Sequence, residues 1–236
     1  MASWITHTMI VDQVLSKEID LDARGFCVGN IAPDCNIENE DWTSYTPPKE
    51  ITHFMNGKSK LTTDCNRFID TYINGKIFTS NEEYSFILGY LSHLITDVEF
   101  QKFIRNEERV RNTFKRLNTN VEYKNKLLNL PETFDTIKTV FGKAEAFKDI
   151  EYFEHTYLSK NPKASYLTVL KNINGFDDYL DFLPKGAISR KIKIMLEDIK
   201  LQEERELYFF TKLEYDEFIK NTSNLIYEQL IRIITL

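Results

Sequence analysis

The stretch Ser80-Asn81-Glu82-Glu83-Tyr84-Ser85-Phe86-Ile87-Leu88-Gly89-Tyr90-Leu91-Ser92-His93-Leu94-Ile95-Thr96-Asp97-Val98 decides the fold class. Ser80 followed by Glu83 fits a capping box, which starts a helix. Beyond it, Phe86, Ile87, Leu88, Leu91, Leu94, Ile95 and Val98 point to nearly every side of a helical wheel. That pattern predicts a central buried helix over 80–104. Gly89 lies inside it. A glycine within a helix costs about 1 kcal/mol relative to alanine, and its missing side chain would let another backbone, or a ligand, come close. His93 and Asp97 are four residues apart and share one face. An ionised Asp97 in such a helix is expensive unless it is paired or ligates a metal. The pair therefore reads either as a simple hydrogen bond or as half of a metal site.

Candidates for the other half lie upstream. The chain has four histidines, and His7, His53 and His93 all fall in the same set, together with Asp34 and Asp97. Residues 4–17 should be helical, with His7 on the face that carries Val11, Val14 and Leu15. A lone histidine on an apolar face ordinarily just fills the core. Residues 25–58 carry Gly29, Pro33, Pro47, Pro48 and Gly57 and read as irregular. This loop holds Asp34 and His53, and its apolar residues should pack it down. A helix over 60–73 should stop at Asn74-Gly75. Further helices are expected at 107–117, 121–128, 132–147, 163–173, 185–210 and 213–234. No strand alternation, repeat or low-complexity tract stands out. The expectation is an all-α multi-helix bundle forming a single domain over 1–236.

Composition narrows the function. Only 8 Gly and 6 Pro in 236 residues argue for few tight turns, and 42% hydrophobic residues can bury a large core. A net charge of −6 disfavours general nucleic-acid binding and gives no attraction to anionic membranes. The basic cluster of Arg105, Arg109, Arg111, Lys115 and Arg116 is interrupted by Glu107 and Glu108, which reads as a solvated helix face. No apolar run is long enough to span a bilayer. The first residues lack a signal peptide's basic region and apolar core, so the expected location is cytoplasmic. Cys27, Cys35 and Cys65 are an odd number without zinc-ribbon spacing, which suits reduced thiols. No Gly-x-Ser-x-Gly motif supports a serine nucleophile, and no adjacent His-Asp supports an HD-type phosphohydrolase.

The segments Phe26-Cys27-Val28-Gly29-Asn30-Ile31-Ala32-Pro33-Asp34, Thr52-His53-Phe54 and Gly89-Tyr90-Leu91-Ser92-His93-Leu94-Ile95-Thr96-Asp97 resemble the bacterial zinc-dependent phospholipase C family, of the all-helical phospholipase C and P1 nuclease group. The resemblance covers about residues 1–105. It implies that Asp34, His53, His93 and Asp97 hold one zinc ion. It also implies that His7 and the bridging Asp97 contribute to a second ion, and that Asp34 is a candidate base. The chain departs from the pattern in three places. Trp4 stands where the secreted enzymes have their N-terminal tryptophan, one turn before His7 but not at the terminus. Phe103 stands where the family's third metal finds a histidine. Glu151 and His155 reverse the family's His-then-Glu order, and an exposed helix pair is the expectation for them.

Two readings follow. One is a zinc-dependent phosphoesterase that hydrolyses a small or lipid-derived phosphodiester with metal-activated water. The other is a non-catalytic helical protein in which a structural ion, closed by four protein ligands, locks the 25–58 loop onto the bundle. The sequence does not fix the substrate or the oligomeric state.

Overall fold

In a computed structural model, residues 2–196, 198–200 and 204–235 are described. Twelve α-helices occur among them. The first six are α1 (Trp4–Leu15), α2 (Ala23–Gly29), α3 (Lys49–Thr52), α4 (Cys65–Tyr72), α5 (Asn81–Arg105) and α6 (Glu107–Leu117). The remaining six are α7 (Val121–Leu127), α8 (Phe134–Phe141), α9 (Lys143–Lys160), α10 (Ser165–Thr168), α11 (Ala187–Met195) and α12 (Lys212–Ile234). Helix makes up 63% of the structure. The strands β1 (Ile37–Glu38) and β2 (Tyr45–Thr46) pair antiparallel as a two-residue hairpin. The class is all-α, and among the described residues no helix is long and apolar enough to cross a membrane.

Helix α5 is the axis of the molecule. The Ser80 side chain accepts a hydrogen bond from the Glu83 N–H and starts it. From Ser85 to Asp97 every residue is buried. Helices α1, α2, α4 and α12 all pack on it. The tightest crossing is with α2. A Cβ at Gly29 would collide with the Phe86 carbonyl oxygen, and one at Gly89 with the Phe26 carbonyl oxygen. Of the two reasons for a glycine at 89, the approach of another backbone is the one realised.

Several boundaries differ from the sequence reading. Residues 25–29, expected to be irregular, fall within α2, which is started by the Asp22 carboxylate accepting from the Gly25 N–H. Seven residues are too few to show a helical period. The expected helix over 60–73 is shorter, because Asp64 caps α4 and Lys60–Thr62 is a separate 3-10 turn. The expected helix over 132–147 breaks at Gly142, whose φ is +83°, and its second part runs on as α9 to Lys160. The expected helix over 163–173 is the short α10 followed by a 3-10 turn at Leu170–Asn172. The expected helix over 185–210 ends at Met195; residues 197 and 201–203 lie outside the described residues. Further on, the Asp149 carboxylate accepts from the backbone N–H groups of Tyr208, Phe209 and Phe210. Those amides are therefore satisfied without helix.

The basic cluster on α6 is also not a solvated face throughout. Arg109 is buried and donates to the carbonyls of Phe103, Ile104 and Phe209, with its guanidinium 4.4 Å from the Phe210 ring centroid. Arg116 pairs with Glu214 at 3.1 Å. Guanidinium groups stack on aromatic faces and fork to carbonyls, and that draws both inward.

The crossing of α2 and α5 gives a direct test. Gly29→Ala forces main chain apart at the most tightly packed helix pair, so it should cost about 3–5 kcal/mol, at the upper end of single-residue effects. Thermal or denaturant unfolding reads this directly. An unchanged melting temperature would contradict the backbone contact.

Candidate metal centre

Each candidate side chain arrives from a different element. The Ser3 side chain caps α1 by accepting from the Thr6 N–H, and α1 carries His7 into the interior. Asp34 ends the 3-10 turn Ala32–Asp34 that follows α2. His53 caps the C-terminus of α3, and Phe54 beside it holds a left-handed φ of +51°, a strained conformation for a bulky residue. The Phe54 ring packs edge-on against Phe68, Tyr72, Tyr90 and Phe182. The Tyr90 hydroxyl donates to the Thr52 carbonyl, so α5 itself fixes the end of α3. His93 and Asp97 come from α5.

These five residues converge. The His93 Nε2 atom lies 3.1 Å from Asp97 Oδ2 and 3.3 Å from His53 Nε2. The His53 Nε2 atom lies 3.2 Å from Asp34 Oδ1 and 3.5 Å from Asp97 Oδ2. The His7 ring stacks on His93 with centroids 3.9 Å apart, and His7 Nε2 is 3.9 Å from Asp97 Oδ1. Two overlapping triads result, His7–His93–Asp97 and Asp34–His53–His93. His7, His53, His93 and Asp97 are fully buried, and Asp34 is nearly so.

The donor set suits a divalent cation. Nδ1 of His93 is 2.7 Å from the Asn30 carbonyl, and Nδ1 of His53 is 3.2 Å from the Lys49 carbonyl. A carbonyl only accepts, so Nδ1 of His93 is a donor, while Nδ1 of His53 lies between the Lys49 carbonyl and the Thr52 hydroxyl 2.9 Å away; both rings thereby turn Nε2 toward the cluster. Backbone carbonyls hold metal-bound imidazoles in this way. Burial lowers the His7 pKa well below its ordinary value, with His93 adding to the effect. Burial and then the Lys60 charge lower that of His53 to about 4. Burial alone would raise Asp34 and Asp97, but the Lys60 charge, aided by His53 at Asp34 and His93 at Asp97, holds both below the usual carboxylate range. Neutral imidazoles facing ionised carboxylates are the forms that bind metal.

Unpartnered atoms point the same way. Among the described residues, neither ring nitrogen of His7 and not Oδ1 of Asp97 has a hydrogen-bond partner. Two ligands on a tetrahedral zinc ion sit about 3.4 Å apart, given bonds of about 2.0–2.2 Å. The 3.1–3.5 Å separations around His53, His93 and Asp97 Oδ2 match that spacing. The 3.9 Å between His7 Nε2 and Asp97 Oδ1 is too long for a hydrogen bond, yet two donors on one ion can span it. The residues present therefore fit zinc.

Lys60 and Glu154 were not singled out from sequence. Lys60 donates to Asp97 Oδ2 and lies 3.9 Å from Asp34 Oδ1. Glu154 is buried, accepts from the hydroxyls of Ser3 and Thr6, and lies 3.4 Å from the Tyr215 hydroxyl. It ties α1 and α12 to α9. The pair Glu151–His155, expected to be exposed, is split: His155 is buried and accepts from the Lys200 N–H, while Glu151 is half exposed. Neither belongs to a triad of ligand atoms among the described residues. Phe103 stacks on Phe218 of α12 with centroids 4.8 Å apart, so an aromatic contact fills that position. The Cys35 thiol donates to the Ile31 carbonyl, burial pushes its pKa well up, and neither triad includes it.

Two tests follow. His93→Ala should reduce bound zinc measured by elemental analysis, and should lower stability by about 1–3 kcal/mol because a buried acceptor on Asp97 loses its neighbour. Glu154 supplies a pH test. Burial pushes its pKa from the ordinary 4.5 up to about 7. The folded state thus holds this proton more tightly than the unfolded one. The stability gained is full below pH 4.5 and is lost as pH rises through about 7. Melting curves should therefore show Glu154→Gln gaining on the native chain, by several degrees, between about pH 5 and pH 8. A constant difference between the two proteins would contradict the buried carboxyl.

Searches of curated proteins and of solved structures return no significant match to this chain. A scan against family models does return one, described as zinc dependent phospholipase C, over residues 6–100. All five candidate ligands fall inside that span, as do the α2–α5 crossing that orients His93 and the turn that carries Lys60. The predominantly helical architecture agrees with it. Over residues 6–100 the chain matches the zinc dependent phospholipase C family.

Proposed function

We propose that the protein is a zinc-dependent phosphoesterase that hydrolyses a phosphodiester. The observation that carries this reading is the meeting of three imidazoles and two carboxylates at the edge of a cavity of about 680 Å³. Asp34, His53, His93 and Asp97 would hold one ion, and His7 with Asp97 would contribute to a second. The chemistry that such ions supply when bound is activation of a water nucleophile and polarisation of a phosphoryl oxygen.

The chain's own residues do the rest. Of the five candidate ligands, Asp34 is the one that lines the cavity, so it is the carboxylate that meets substrate. Its depressed pKa makes it a weak proton acceptor and favours the ligand role over that of base. Ile5, Phe100 and Phe147 give the cavity an apolar wall that excludes water and suits the organic part of a phosphodiester, lipid-derived or not. Lys49 stands 4.2 Å from the Tyr45 ring centroid and Lys191 stands 5.0 Å from that of Trp42. Lys191 is buried and its ammonium already pairs with Glu38, so Lys49 is the cation at these aromatic faces that favours a negatively charged substrate over a quaternary ammonium group.

The structural-ion reading keeps one observation in its favour, the complete burial of four of the five ligands. Activity separates the two. Protein stripped with a chelator and reloaded with zinc should hydrolyse activated phosphodiesters or phospholipid micelles, and Asp34→Asn with His53→Ala should lose about a hundredfold or more of that rate. Full zinc loading without hydrolysis of any phosphoester in the panel would favour the structural ion.

A further inference from the structure

Lys60 projects from an exposed turn into the centre of the cluster. Its ammonium donates to Oδ2 of Asp97 and lies 3.9 Å from Oδ1 of Asp34, and its side chain is only 12% exposed. The oxygen it takes is the same one that lies 3.1 Å from His93 Nε2 and 3.5 Å from His53 Nε2. It is thus the oxygen that a cation held by both imidazoles would need. The single ammonium lies against two carboxylates, and a divalent ion added beside it would bring a second and larger positive charge to the same oxygens. An ammonium and a divalent ion within contact distance of one carboxylate oxygen repel strongly in a buried setting.

Withdrawal of the side chain needs no unfolding. The turn is tied down by its backbone, with Asn56 N–H donating to the Thr62 carbonyl at 2.9 Å and Asp64 N–H to the Phe54 carbonyl at 2.9 Å. Ser59, Leu61 and Thr62 around it are exposed, so solvent lies within reach of a four-carbon stem.

We propose that Lys60 is a built-in competitor for the metal. Its ammonium neutralises Asp97 and Asp34 in the metal-free protein and leaves Asp97 Oδ2 when a divalent ion binds, so that Lys60 sets the metal affinity of the site. The proposal rests on the metal-binding part of the reading above and not on catalysis.

Zinc affinity, measured by calorimetry against a competing chelator, tests it. Lys60→Met should bind zinc about tenfold or more tightly than the native chain, because a repelling charge is gone. Its zinc-free form should melt lower, since Asp97 is left without its cation. Lys60→Arg keeps the charge and should stay near the native affinity. Equal or weaker zinc binding by Lys60→Met, or equal tightening in Lys60→Arg, would overturn the proposal. A second measurement uses the native chain. Zinc should raise reductive methylation of Lys60 several-fold, read by peptide mass spectrometry, because the amine is released from Asp97; unchanged labelling of zinc-loaded protein would overturn the proposal. Absence of zinc binding by both the native chain and Lys60→Met would sink the metal reading itself, whereas zinc binding without phosphoester hydrolysis touches only the catalytic one.

Discussion

Where α2 crosses α5, main chain lies against main chain, and the rest of the candidate site is built on that contact. Gly29 and Gly89 remove the side chains that would hold the helices apart. The residue that follows α2 is Asn30, whose carbonyl accepts from His93 Nδ1 and whose side-chain amide donates to Ser92. The helix spacing therefore decides the orientation of an imidazole. Asp34 follows four residues later, too few for an independent path, so its position is inherited from the same crossing. A packing constraint, not a polar one, sets the geometry of the polar centre.

Electrostatics then fix the charge state. Burial pushes His7 and His53 toward neutrality and, left alone, would push Asp34 and Asp97 the same way. The carboxylates resist because Lys60 and the neighbouring imidazoles stabilise their charge. Burying charged groups this deeply is costly unless something repays it. The number of polar atoms still unpartnered around His7 and Asp97 indicates that stability alone is not what the cluster serves.

Much of this was legible in the sequence, for definite reasons. Helix α5 is long, carries a cap at Ser80 and is apolar on all sides, so its burial and the shared face of His93 and Asp97 could be read directly. The end of α4 carried an ordinary stop signal in Asn74-Gly75. Helix α2 was missed because seven residues do not display a period. The split at Gly142 was missed because the apolar residues on both sides continue the same rhythm. Lys60 gave no signal: it sits among polar, turn-forming residues, and only the tertiary path brings its amine to Asp97. Glu154 did leave a trace. Ile150 and Ala146 are apolar and lie one and two turns before Glu154 on α9, so their spacing marks the inward face on which Glu154 stands.

The stacking of Phe103 on Phe218 bears on how many ions this scaffold can hold. Phe103 sits on the same helix as His93 and Asp97, but its neighbours are the rings of α12 and Phe210. Replacing it with histidine would remove the stack on Phe218 and would loosen the seat of the last helix. Any ion held at this position would thus depend partly on the packing of the C-terminal helix. A lineage gaining or losing an ion at this position would have to remodel α12 together with it, so ion number and C-terminal sequence should change as one character.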